Sequence, residues 1–263
     1  MVLEGLFDIR EIRKNPSTLF FVGVIATLIA TLITYFLFQG GIFLTFLIVL
    51  AVFPIIFRQL RLEERKKEYD HFYDYLYRLN FFRRHETLIV EYFYLIFGIS
   101  LTIATLYILL PNGITEKIFS EQLSTISSIR GNFMNPDFFM KILINNIGVM
   151  LICFIFSLFY SSGAIFLISW NSTVLGVVVG KEAMKLLGIS SVPFVLLSYL
   201  PHGIFEFAGY ICTGIAGGLL SIALTRHKES RRHFYFVLKD SMTLLILGVI
   251  FIIIGAIIES LLI

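Results

Sequence analysis

Apolar runs of about 18 or more residues recur along the chain. Each is long enough to cross the ~30 Å hydrocarbon core of a bilayer as a helix. They fall at about 18–39, 41–57, 88–110, 141–161, 164–181, 193–224 and 241–261. The pattern predicts an all-α fold, a polytopic transmembrane helical bundle of about seven spans. Gly40-Gly41 marks a tight turn, so the first two spans form a hairpin. "RQLRLEERKKEYDHFYDYLYRLNFFRRHE" then runs without Gly or Pro and predicts a charged amphipathic helix over 58–87. "PNGITEKIFSEQLSTISSIRGNFMNPD" carries Pro, Asn, Gly and Ser and predicts a loop. "SSG", "LGISSVP" and "TRHKESRRHFYFVLKD" part the remaining spans, and Asn171, Ser172 and Thr173 interrupt the fifth. Three units follow: 1–57, an N-terminal cytoplasmic segment and hairpin; 58–87, the charged helix; and 88–263, a five-span core.

Composition strengthens the membrane assignment. Of 263 residues, 57% are hydrophobic and 15% charged, against roughly a quarter charged in a soluble domain. The first run follows Glu4, Asp8, Arg10, Glu11, Arg13 and Lys14 with no small-residue cleavage site, and is expected to be a retained span. Cys153 and Cys212 both lie in apolar runs, with no CxxC or Cys/His zinc spacing, and are expected to pack as small hydrophobes.

Charge sets the expected orientation. With the N-terminus inside, the connecting segments on that side hold 16 of the 21 Lys and Arg residues. Lys117, Arg130, Lys141, Lys181 and Lys185 remain for the other side. The positive-inside rule then puts the N-terminus in the cytoplasm and the C-terminus outside, in a plasma membrane crossed several times. The segment 58–87 interleaves aromatics with Arg58, Arg61, Arg65, Lys66, Lys67, Arg83 and Arg84. Such a helix suits either an anionic bilayer surface or the protein's own cytoplasmic face. Glu63, Glu64, Glu68, Asp70 and Asp74 dilute its basic face, so no nucleic-acid partner is expected.

"SYLPHGIFEFAGY" (198–210) sets His202 and Glu206 four apart in an otherwise apolar run. A charge at mid-bilayer costs ~2.5–3.5 kcal/mol, so such residues are candidates for function. At ~1.5 Å per residue, His202, Glu206, Glu259, Asn145 and Asn146 can share the outer half of the membrane. The i, i+4 spacing puts His202 and Glu206 on one helix face. Three chemistries fit. His202, Glu206 and Glu259 could ligate a divalent metal, zinc being the candidate cofactor, with an open position for water. Glu206 could relay a proton in a transporter. Both side chains could also brace neighbouring helices by hydrogen bonds. Two ligands at this spacing do not select among these, and HExxH is absent. Glycines such as Gly176-xxx-Gly180 predict close helix packing.

"LPHGIFEFAGYICTGIAGGLL" (200–220) resembles the HGxxE block of the stage II sporulation protein M family, a group of integral membrane proteins. "LINNIGVM", "NSTVLGVVVG" and the closing "IIIGAIIES" agree in order and spacing. The resemblance covers about 88–263 and implies a five-span core in which His202, Gly203, Glu206, Glu259 and one of Asn145 and Asn146 are hallmark positions. Relatives in spore formers are implicated as scaffolds in a membrane complex with peptidoglycan-remodelling partners. The expectation here is therefore a scaffold or assembly component, more a structural protein than an enzyme. A metal-dependent intramembrane hydrolase and a proton-coupled transporter are the alternatives. The expected partners are the lipid bilayer, other membrane or envelope proteins, and further copies of the chain in a homo-oligomer.

Overall fold

A computed structural model describes residues 15–38, 40–65, 81–130, 138–225 and 231–262. Nine α-helices run through them, with no strand among the described residues: α1 (Thr18–Ile33, continued by a π-helical turn Thr34–Phe38), α2 (Gly41–Arg65), α3 (Phe81–Leu109), α4 (Asn112–Ile118), α5 (Ser120–Arg130), α6 (Phe138–Tyr160), α7 (Ala164–Lys185), α8 (Val192–Thr225) and α9 (Arg231–Leu262). Seven of them (α1–α3 and α6–α9) are long and apolar enough to cross a bilayer, as the hydropathy pattern predicts. Their outward faces carry bare Phe21, Leu32, Phe36, Phe46, Ile144, Phe159, Ile246 and Leu261, a surface suited to lipid and not to water.

The centre of the bundle is α8. Of its apolar stretch 89% is buried, against 28% for α6 and 33% for α9. Small residues allow this. A Cβ at Gly217 would stand 2.5 Å from the Phe154 carbonyl of α6, and one at Gly218 2.3 Å from that of Ser161. Gly209 of α8 and Gly248 of α9 face each other's backbone in the same way. Backbones this close gain dispersion contact and shed little side-chain entropy, which is how helices associate in lipid. Ser241 Oγ donates to the Ala216 carbonyl, fixing the antiparallel register of α8 and α9. Gly176 and Gly180 let α7 lie on Ser100, Ile103, Ala104 and Tyr107 of α3, as the Gly-xxx-Gly spacing predicts.

The hairpin α1–α2 is built into this bundle. Gly23 and Gly98 admit close contact between α1 and α3. At the turn into α2, the Gly41 amide donates to Glu121 Oε2, and Gln122 Nε2 donates to the Gly41 carbonyl and to Thr173 Oγ1 of α7. One short helix thus ties the hairpin to the core.

Two expectations change. Residues 112–130 are two helices, α4 and α5, not a loop. Pro111 stands just before α4, where its fixed φ and missing N–H do no harm, and "EKIFSEQLSTISS" behind it has no breaker. The fifth span is unbroken through Asn171, Ser172 and Thr173 because all three turn back on their own helix. Asn171 Nδ2 donates to Leu167 O, Ser172 Oγ to Ile168 O and Thr173 Oγ1 to Trp170 O. Within the charged segment, 58–65 complete α2 and 81–87 open α3; residues 66–80, with Lys66 and Lys67, lie outside the described residues.

Candidate functional site

The HGxxE run occupies the third and fourth turns of α8. Pro201 cannot donate to the Leu197 carbonyl, but the helix continues through it. Glu206 meets α6 on one side and α9 on the other. From α6, buried Asn146 donates Nδ2–H to Glu206 Oε1 at 2.6 Å. The Asn146 oxygen takes two hydrogens, from the Tyr210 hydroxyl at 2.9 Å and from Asn145 Nδ2 at 3.2 Å. From α9, the Glu259 carboxyl hydrogen-bonds that of Glu206, a contact that needs one proton between the two groups. Gly255, one turn before Glu259, makes that contact reachable. A Cβ there would press to 3.0 Å from Glu206 Cγ and 3.4 Å from the His202 carbonyl.

These side chains border a cavity of about 290 Å³. His202, Gly203, Glu206 and Tyr210 of α8, Asn145, Asn146 and Lys141 of α6, Asn171 of α7 and Glu259 of α9 supply its polar wall. Ile126, Ile142, Val174, Leu175, Val178 and Phe207 supply the apolar part. The structure therefore brings together all six residues singled out around the HGxxE run. His202 packs its ring edge-on to Tyr199 at 5.8 Å, and its Nδ1 is buried without a hydrogen-bond partner. Orphaned buried polar atoms are uncommon and mark sites completed by something else.

The zinc expectation finds less support in the geometry. Among the described residues, no group of three or more His, Cys, Asp and Glu side chains is arranged to hold a metal ion. Glu206 already accepts from Asn146 and pairs with Glu259, and these partners hold it toward α6 and α9. Cys153 and Cys212 are free and buried, away from the cavity wall.

Sequence reasoning passed over Tyr210, Gly255, Tyr199, Asn171 and the cavity role of Lys141. Tyr210 carried a signal: it follows Glu206 by four and His202 by eight, on the same helix face. A second buried polar group at the other end of the bundle was also missed. His85 of α3 stands between Glu63 of α2 and Asp240 of α9, with Nδ1 3.7 Å from Glu63 Oε1 and Nε2 3.8 Å from Asp240 Oδ2. All three side chains are at least nine-tenths buried. Of the basic set, Arg58, Arg61 and Arg65 end α2, and Arg61 rests its guanidinium 4.4 Å from the Phe57 ring centroid. Arg83 and Arg84 fall in the first turn of α3.

The sequence model for stage II sporulation protein M matches residues 95–262, more than half of the chain and every residue of the site. No curated protein and no solved structure matches the chain. With seven membrane-length helices and this match, the chain is a multi-pass membrane protein belonging to the stage II sporulation protein M family.

Proposed function

We propose that the protein is an assembly component of a membrane complex, holding partner proteins at the bilayer, with the Asn146–Glu206–Glu259 cluster bracing the helices that present its surface. One observation carries this reading: the polar groups of α6, α8 and α9 are turned on one another. Asn146 joins α6 to α8 through two hydrogen bonds, and the carboxyl pair joins α8 to α9. A hydrolytic centre would instead need polar groups free to hold water and a reacting carbonyl. Membrane-length helices with sparsely buried outer faces, α6 and α9 above all, offer surface to lipid, to other envelope proteins or to a second copy. The charge asymmetry supports an insertion with the N-terminus inside and the cluster in the outer half of a plasma membrane.

The test is to purify the full chain from its own membranes, with and without Asn146→Ala, after brief crosslinking. The wild type is expected in a complex of defined stoichiometry, and the variant is expected to lose both thermal stability and the complex. A wild-type chain that runs alone, or a variant that loses stability while its complex stays intact, would overturn the reading.

A further inference from the structure

We propose that the cavity between α6, α7, α8 and α9 binds a primary ammonium group, carried by a lipid headgroup or by a soluble amine. The proposal goes beyond the assembly reading and names what the cavity beside the brace receives. Three features of the cavity lead to it.

The first is the balance of donors and acceptors. Tyr210 O–H and Asn145 Nδ2 already serve the Asn146 oxygen, and Asn146 Nδ2 already serves Glu206. Acceptors are left over, chiefly on the two carboxyls, which lie against each other on the cavity wall. A ligand that fits must bring hydrogens. An ammonium brings three on a compact charge and can donate to both carboxyls from the cavity side. A bare metal ion fits less well, because no three-ligand grouping exists among the described residues.

The second is Gly203. Most glycines of α8 are explained by packing, since a Cβ at Gly209, Gly214, Gly217 or Gly218 would run into a neighbouring helix. At Gly203 a Cβ would meet nothing within 4 Å. Glycine inside a helix costs about 1 kcal/mol relative to alanine, and here no helix contact offsets it. Gly203 lines the cavity, so what its bare backbone provides is room.

The third is the rest of the wall. Val174, Val178 and Phe207 can receive the methylenes that adjoin an amine. Lys141 is the only lysine or arginine on the wall among the described residues, and it forms no ion pair with them. It would repel a lone cation but suits the anion beside the ammonium in a zwitterion, as in an ethanolamine phosphodiester.

The experiment uses the full chain in detergent and reads its thermal midpoint. The additions are an ethanolamine phospholipid, a choline phospholipid with the same acyl chains, soluble phosphoethanolamine, and sodium chloride. Choline keeps the charge but has no N–H. The ethanolamine lipid is expected to raise the midpoint by several degrees more than the choline lipid. A matching rise with phosphoethanolamine would assign binding to the headgroup alone, and its absence would assign it to the lipid. Gly203→Leu, which fills the cavity and removes no polar group, is expected to erase the difference. Glu259→Gln is expected to weaken the apparent affinity at least about tenfold. Equal shifts from ethanolamine and choline lipids, an equal shift from sodium, or a difference that survives Gly203→Leu would each overturn the proposal. Should Glu259→Gln not fold, the contrast between lipids and Gly203→Leu decides. Partner assembly is read separately, so an intact complex without amine preference would defeat this proposal and leave the assembly reading standing.

Discussion

Asn146 is the residue on which the site turns, because both ends of its amide are in use across the contact between α6 and α8. Replacing Tyr210 by Phe removes one interhelical hydrogen bond, and in membrane proteins such bonds average ~0.6 kcal/mol with a ceiling near ~1.7. Asn146→Ala removes the donor to Glu206 and the acceptor of Tyr210 together, leaving a buried hydroxyl without its partner. A buried unsatisfied group costs ~1–3 kcal/mol, so the second variant should lose clearly more than the first. Unfolding in mixed micelles checks the order; a Tyr210→Phe loss as large as the Asn146→Ala loss would show that the amide is not the hub. The carboxyl pair gives the companion case. Glu206→Gln supplies its own N–H to Glu259 and can stand in for the shared proton, whereas Glu206→Ala cannot. Stability near wild type for Gln, with a loss for Ala, is expected in the same measurement, and equal losses would mean that the negative charge itself is required. Much of this site was legible beforehand. An ionisable pair at i, i+4 in an apolar run is costly enough to stand out, and Glu259 and Asn146 stand out for the same reason. Tyr210 and Gly203 did not, because a tyrosine or a glycine in a membrane span reads equally well as packing.

At the scale of the element, α5 had no apolar period to announce it, and its Pro- and Gly-bearing flanks pointed to a loop. Its role became visible only where Glu121 and Gln122 met the start of α2, some eighty residues earlier in the chain. Partial burial pushes the Glu121 carboxyl up, but the hydrogen bonds from Ser120 Oγ and the Gly41 amide outweigh it and hold the group below its ordinary 4.5. The positive end of α2 acts in the same direction. A carboxyl held lower in the folded state adds stability that is complete above its unfolded value and disappears as pH falls through the folded one. Between about pH 6 and pH 3, the wild type should therefore lose stability that Glu121→Gln does not have to lose. Midpoints of the two chains should converge on acidification, with the variant lower at neutral pH by about 0.3–1 kcal/mol. A gap that stays constant down to pH 3 would remove the ionised cap from the account. The Glu63–His85–Asp240 group was hidden for the same reason as α5: its members sit at the ends of three spans, and no periodic pattern pairs positions so far apart.

For the whole molecule, hydropathy and length were enough to count seven crossings, since in lipid each backbone polar group must be satisfied within its own helix. Which side faces the cytoplasm is a different matter, because two opposite insertions bury the same contacts and differ only in where Lys and Arg come to rest. Sixteen of the 21 basic residues fall, by sequence, in the N-terminal segment and in or beside the segments that join α2 to α3 and α8 to α9. A membrane-impermeant maleimide can decide the matter, because both native thiols are silent: Cys153 is fully buried and Cys212 is 2% exposed. Gly113 lies at the start of α4, where an added Cβ would meet open space, and Arg61 is exposed at the opposite end of the bundle. In intact cells Gly113→Cys should label and Arg61→Cys should label only after the membrane is opened. The reverse pattern would turn the molecule over. The ammonium cavity would then draw its ligand from the cytoplasmic leaflet, and the basic end of the bundle would face away from the anionic lipids expected to hold it.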